Sequence, residues 1–408
     1  MRKFLLPAAA ASVVCSTASA FAPTPFFRHA HTSVGMTATA TDPAATASAE
    51  EVPLNGTPGS ATDLGTPWEE LGFEYRRTSS FVKMQYRDGE WGAPELERGE
   101  PYVPVHIGAT ALHYGQACFE GLKAFTHEDG RVAVFRPLEN AKRLRSSCER
   151  IVMPPLSDDL FLSAVRAAVR DNIAYVPPYG SGGSLYLRPL LFGSGARIGL
   201  QPADEYTFLL MVIPVGDYYA GGLAPVDALV VEGYDRAAAQ GVGDVKVAGN
   251  YAADMRPNME SKDAGYPISL YLDASTRTTV EEFSTSNFVG IVNGPDGKCA
   301  GGKFVTPGSS SVLPSITNKS LMQIAGDEGM EVQRRDILTE ELGSFDEVAA
   351  CGTAVVVTPV GRIKCKGTTH EYGGGTKVGD TTRMLYDRVR DVQFGQGEDK
   401  FGWLHFVN

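Results

Sequence analysis

Apolar and polar positions change period along this chain, and the changes mark out its elements. Alternating runs at 103–107, 132–135 and 184–187 predict strands with one face buried. Ser157-Asp158-Asp159 opens a helix that carries Leu160, Val165, Val169 and Ile173 on one side, and Pro177-Pro178 closes it. The continuous apolar run 207–215 predicts a strand covered on both faces. Further strands are expected at 226–231, 268–272, 288–292 and 354–360. A turn is expected at Gly241-Val242-Gly243, with helices at 248–262 and 315–326. This is not the regular strand–helix alternation of a doubly wound sheet. It predicts an α+β chain with two sheets. A smaller N-terminal α/β domain would cover 67–215, a linker 216–225, and a larger C-terminal domain 226–408.

The first fifty residues follow a different pattern. Arg2 and Lys3 precede an apolar run over 4–14 and small residues over 16–20, the three regions of a signal peptide cut after Ala20. The run is about half the ~20 residues that a membrane span needs, and Pro7 interrupts it. Phe21-Ala22-Pro23 then opens a Ser/Thr/Ala-rich, acid-poor stretch. Residues 21–66 are read as transit-peptide-like sequence and a flexible lead-in, with structure starting near Trp68. The arrangement resembles the two-part presequence of plastids acquired by secondary endosymbiosis. It implies a plastid stroma, with mitochondrial import or secretion as alternatives.

Composition narrows the class. The chain has 408 residues, 43% hydrophobic and 21% charged, which is ordinary for a globular enzyme. Its net charge of −11 argues against nucleic acid or an anionic membrane as partner. Cys15 falls in the leader. Cys118, Cys148, Cys299, Cys351 and Cys365 are scattered, with no C-x-x-C. They predict neither a disulfide framework nor a metal site, and fit a reducing compartment. His106 and His113 are read as structural.

No phosphate-loop, metalloprotease, nucleophile-elbow or dinucleotide motif occurs in the sequence. The candidate for chemistry is Lys246, in Gly-Val-Gly-Asp-Val-Lys-Val-Ala-Gly-Asn-Tyr. A lysine between Val245 and Val247, beside a glycine turn, points into a site or into solvent. In a site, burial would lower its pKa, as an imine-forming lysine requires.

Several motifs in order decide between these. The chain contains Leu112-His113-Tyr114, Phe119-Glu120-Gly121-Leu122-Lys123-Ala124-Phe125 and Phe135-Arg136-Pro137 with Asn140 and Arg143. It continues with Leu185-Tyr186-Leu187-Arg188-Pro189, the Lys246–Tyr251 segment, Glu282 with Asn287, Leu313-Pro314 with Thr317, and Gly352-Thr353-Ala354. From about Trp68 to Val407 the sequence resembles the branched-chain amino-acid aminotransferases, which are fold-type IV pyridoxal-phosphate enzymes. The resemblance implies two α/β domains with pyridoxal 5′-phosphate between them. It also implies a homodimer and a ping-pong transfer of the amino group of leucine, isoleucine or valine to 2-oxoglutarate, in biosynthesis and degradation.

The resemblance also assigns residues. Lys246 would bind the cofactor covalently and carry the proton to and from the substrate α-carbon. Glu282 would face the pyridine nitrogen; Glu281 is adjacent, and the five-residue interval to Asn287 favours Glu282. Tyr251 would bond the 3′-oxygen. Arg143, the Thr353 hydroxyl and the backbone N–H groups of Ile316 and Thr317 would hold the phosphate. Tyr114, Phe119, Tyr186, Arg188, Thr285 and Ala354 would form the substrate pocket, with Arg188 taking the distal carboxylate of glutamate.

Four departures stand out. Ser315 replaces a common glycine before the phosphate-binding helix, and Asn287-Phe288-Val289 replaces Asn-Leu-Phe. Pro257 lies inside the helix after the lysine and predicts a kink. Val355 and Thr358 stand where some animal members carry a redox-active cysteine pair. D-amino-acid aminotransferases and aminodeoxychorismate lyases share the Lys and Glu but lack the Phe-Glu-Gly-Leu-Lys-Ala-Phe and Tyr-x-Arg-Pro combination. Methionine chain-elongation aminotransferases stay open as an alternative, as does a non-catalytic binding protein.

Overall fold

The computed structural model describes residues 52–216 and 222–408. The proposed leader lies outside them, as does 217–221 of the expected linker. Strands gather into two nine-stranded sheets, which gives the expected α+β class.

The first sheet is antiparallel throughout. It holds β1 (Phe81–Arg87), β2 (Glu90–Trp91), β3 (Glu95–Glu97), β4 (Ala117–Phe119), β5 (Leu122–Thr126), β6 (Val132–Phe135), β7 (Ser184–Gly193) and β8 (Tyr206–Val215). Alternation decides its faces. Val82, Met84, Phe208, Leu210 and Val212 turn to one side and pack on Phe161, Ala164, Val165 and Ala168. Those last four lie on α3 (Asp158–Asp171), which follows α1 (Thr110–Tyr114) and α2 (Pro137–Arg150). The cap predicted for α3 is present: Ser157 Oγ accepts from Leu160 N at 3.2 Å.

The second sheet holds β9 (Val226–Val230), β10 (Ile268–Leu272), β11 (Val280–Phe283), β12 (Ser286–Val292), β13 (Lys303–Pro307), β14 (Glu331–Arg335), β15 (Glu347–Gly352), β16 (Val356–Cys365) and β17 (Thr368–Glu371). It is mixed, with β9 parallel to both β10 and β16. Because β11 pairs with both β10 and β12, six of its strands close into a ring. Phe283, Phe288, Val348, Ala350 and Val360 form one core. The alternate residues Val289, Ile291, Ala349 and Cys351 meet α5 (Ile316–Asp327) and α6 (Asp380–Gln393). The last strand, β18 (Leu404–Phe406), returns to the first sheet and pairs with β6.

Two expectations need correction. Residues 103–107 form no strand; Pro104 lacks a donor, no strand lies alongside, and Ile107 is 82% exposed. Residues 52–66 contain no helix or strand, but they are tied down rather than loose. Asn55 N and Ala61 N donate to the carbonyls of Arg170 and Ala174, and Leu64 is buried. The helix after the lysine is α4 (Ala248–Asp263), with Pro257 buried inside it.

Candidate active site

The lysine segment is sewn to the first sheet. Phe119 N donates to Lys246 O at 3.1 Å, and Lys246 N donates to Ser147 Oγ at 2.9 Å. Cys118 and Val247 form an isolated bridge. Val245 and Val247 enter the core beside β4, so Lys246 between them turns the other way. Close backbone approach explains the preceding turn. A side chain at Gly243 would put a carbon 2.2 Å from Ser311 O.

Lys246 Nζ donates to Tyr251 Oη at 2.7 Å. It also lies 4.8 Å from the centroid of Phe119 and 5.0 Å from that of Tyr251. Burial, and then the Arg143 charge, lower its pKa to about 7. Tyr251 is pushed above the ordinary tyrosine value by burial. A neutral amine near neutral pH, hydrogen-bonded to a phenol, is poised as a nucleophile and as a proton carrier.

Two buried ion pairs flank this lysine. Arg143, on α2, meets Glu120 in a two-pronged contact: Nε to Oε1 and Nη2 to Oε2, both 2.7 Å. Its Nη1 donates to Pro314 O at 3.0 Å. Three of its five N–H groups serve these bonds, leaving two for a ligand. Burial alone would lower its pKa, but Glu120 offsets this and the net shift is upward. Pro314 leads into α5, whose cap is Ser315, with Oγ accepting from Asn318 N at 3.2 Å. That cap leaves the N–H groups of Ile316 and Thr317 unpaired within the helix, at its positive end.

The second pair contains Glu282. Its Oε1 accepts from Leu313 N at 3.0 Å and lies 2.6 Å from Arg236 Nη2; its Oε2 accepts from Asn287 Nδ2 at 2.9 Å. Burial raises its pKa to about 7. Neighbouring residues of a strand face opposite ways, and β11 is also irregular against β10. Leu270 pairs with Phe283 but Leu272 with Val280, so a two-residue step on β10 faces a three-residue step on β11. Glu281 is sent instead to the hydroxyls of Ser309 and Ser311.

The pocket wall is aromatic and basic. Phe119 and Tyr251 meet edge to face at 4.7 Å. The Arg188 guanidinium sits 4.8 Å over Phe119, and its Nε donates to Tyr186 Oη at 3.1 Å. Gly121 is required here, since a carbon on it would fall 2.4 Å from Tyr186 Oη. Two hairpin turns complete the rim: Thr285 lies beside Gly352, which precedes Thr353 and Ala354. Lys123 Nζ fixes the second turn by donating to Ala354 O at 2.7 Å.

Tyr114 stands apart from this group. It ends α1 at the left-handed Gly115, is 45% exposed, and donates its hydroxyl to Ile198 O. Within one chain it does not join Phe119 and Tyr186. Sequence reading assigned no role to Glu120, Ser147 or Arg236. Glu120 carried a signal, an acid inside an apolar motif. Ser147 and Arg236 carried none.

Residues 117–363 match the family model for amino-transferase class IV. A branched-chain-amino-acid aminotransferase of Haemophilus influenzae is 43% identical over 343 residues, covering 83% of this chain and 97% of the relative. The chloroplastic branched-chain amino acid aminotransferase 2 of Humulus lupulus is 41% identical, covering 82% and 80%. A solved T.th. branched-chain amino acid aminotransferase with pyridoxamine 5′-phosphate superposes with a TM-score of 0.67 at 27% identity, covering 81% of this chain and 99% of that one.

Proposed function

The chain belongs to the class IV aminotransferases, in the branched-chain amino-acid branch, and on that premise we propose that it transfers the amino group of leucine, isoleucine or valine to 2-oxoglutarate. The observation that carries the reading is Lys246, an amine with its pKa near 7, bonded to Tyr251 and set between an arginine–glutamate pair on each side.

The family's cofactor is pyridoxal phosphate, and the residues fit it. Arg143 has N–H groups to spare beside the positive end of α5, which suits a phosphate. Glu282 is a buried carboxylate with a cationic partner, which suits a protonated ring nitrogen. When bound, the cofactor supplies an electron-accepting ring and a carbon that stores the amino group between half-reactions. Lys246 holds the cofactor through Nζ and moves the proton at the substrate α-carbon. Tyr251 orients that amine. Thr353 adds a hydroxyl to the phosphate site, and the N–H groups at Thr353-Ala354, with Thr285 alongside, receive the α-carboxylate. Phe119 and Tyr186 exclude water from a branched side chain, and Arg188 takes a distal carboxylate.

Tyr102, Ile107, Leu112, Tyr114, Ile198 and Leu200 are exposed apolar residues, and we read that surface as the contact of a homodimer. The two sheets support reading 67–215 and 226–408 as two domains, except that β18, near the end of the second, pairs into the sheet of the first. The leader, together with a chloroplastic relative, supports plastid import.

The absorbance spectrum of the recombinant protein tests the activity. A visible cofactor band should give way to a pyridoxamine band on adding L-leucine. A band that ignores L-leucine but answers D-alanine would move the assignment to the D-specific enzymes. Lys246→Ala should lower turnover by at least about 10³-fold.

A further inference from the structure

We propose that Arg236 is a positioning residue that turns one oxygen of Glu282 toward the cofactor ring and holds that carboxyl ionised. The proposal rests on the reading that Glu282 faces the ring nitrogen.

Arg236 lies ten residues before Lys246, in the loop after β9. Its Nη2 donates to Gly243 O at 2.8 Å and Ser311 O at 2.6 Å, and stands 2.6 Å from Glu282 Oε1. One guanidinium therefore ties together the lysine loop, the loop leading to the phosphate helix, and the carboxylate. Both partners are more than nine-tenths buried, at 7% and 5% exposure. Leu313 N donates to Oε1, and the Arg236 cation stands against that same oxygen. Oε2 accepts only from Asn287 and keeps one site open. Oε2 is thus the oxygen left to accept a proton-bearing ring nitrogen.

Charge points the same way. Glu282 is flanked by Glu281 on its own strand, by Cys351 on β15, and by Lys246 and Tyr251 across the site. Arg236 is its direct ionic partner. Without it, two adjacent buried carboxyls would compete, and one would keep its proton. A protonated Glu282 would donate to the ring nitrogen instead of accepting from it.

The test uses the full chain as Glu282→Gln, Arg236→Met, Arg236→Lys and the Arg236→Met/Glu282→Gln double variant. Apoprotein is titrated with pyridoxal phosphate for affinity. The carboxylic-acid stretch is recorded by infrared spectroscopy at about pH 8.5, above the native Glu282 value of about 7. Arg236→Met should weaken cofactor binding about tenfold or more and show an acid band, which the double variant lacks. Arg236→Lys should keep the carboxyl ionised but bind the cofactor severalfold more weakly, because the shorter side chain falls short of the place where Nη2 meets Gly243 O, Ser311 O and Glu282. If Arg236→Met fails to fold, Arg236→Lys carries the test, and native affinity there overturns the proposal. Native affinity with no acid band in Arg236→Met overturns it also. If Glu282→Gln itself binds the cofactor as the native protein does, the premise about Glu282 fails and the proposal falls with it.

Discussion

Two arginine–carboxylate pairs flank Lys246, and they divide the work in opposite ways. In the first, Glu120 is fully buried and Arg143 is 10% exposed, with N–H groups left over. There the carboxylate supports and the arginine faces the ligand. In the second, Arg236 Nη2 donates to two backbone carbonyls and stands 2.6 Å from Glu282, whose Oε2 keeps a lone pair free. On the proposed reading, the arginine there supports and the carboxylate faces the ligand. The fold would then offer a positive group to a phosphate and a negative group to a ring nitrogen, each with a buried counter-ion. Desolvating a charge is costly, so each counter-ion offsets the burial of a charge that would otherwise stand unpaired.

Substitution can break this division of labour. Largest should be Glu120→Gln, which leaves Arg143 buried and unpaired. Loss of about 3–5 kcal/mol is expected in denaturant unfolding, partly restored by adding Arg143→Met. A loss below about 1 kcal/mol, the range of an exposed pair, would mean that Glu120 is not a structural counter-ion.

Next comes the pH dependence of apoprotein stability. Glu282 is raised from 4.5 to about 7, so the folded form binds more protons than the unfolded one in that window, and this group makes stability fall as pH rises through it. Lys246 is lowered from 10.5 to about 7, so the folded form binds fewer protons there, and stability rises from pH 7 toward 10.5. Glu282→Gln should flatten the first slope and Lys246→Met the second. Unchanged slopes in both variants would contradict the buried, coupled site.

The smallest effect separates scaffold from site. Ser157 caps α3 and Ser315 caps α5 by the same hydroxyl-to-N3 bond. Alanine at either should cost about 1 kcal/mol of stability. Only Ser315→Ala should also weaken cofactor binding, because only α5 points its N-terminus at the phosphate site. Equal cofactor affinity in the two variants would remove α5 from that site.

Much of this was legible in the chain. The run 132–135 is β6 without change, and the Ser157 cap and the start of α5 at Ser315 fell where short-range rules put them. Periodicity and capping are local, so the sequence carries them directly. It also carried Lys246, though alternation with two valines left site or solvent open and the ordered motifs decided between them. The run 103–107 misled for the converse reason: alternation shows that a segment suits a strand, not that a neighbouring strand exists to pair with it.

Tertiary structure alone decided the rest. That Glu282 meets Arg236 while Glu281 meets Ser309 and Ser311 depended on contacts between residues distant in the chain. The partnerships of Arg143 with Glu120 and of Arg236 with Glu282 span 23 and 46 residues and leave no periodic trace. Tyr114 carried a family motif, yet its place followed from the left-handed turn at Gly115. Residue types and local spacing determined which chemistry the chain could support. Only long-range packing determined which charges are buried together, and burial is what gives those charges their strength.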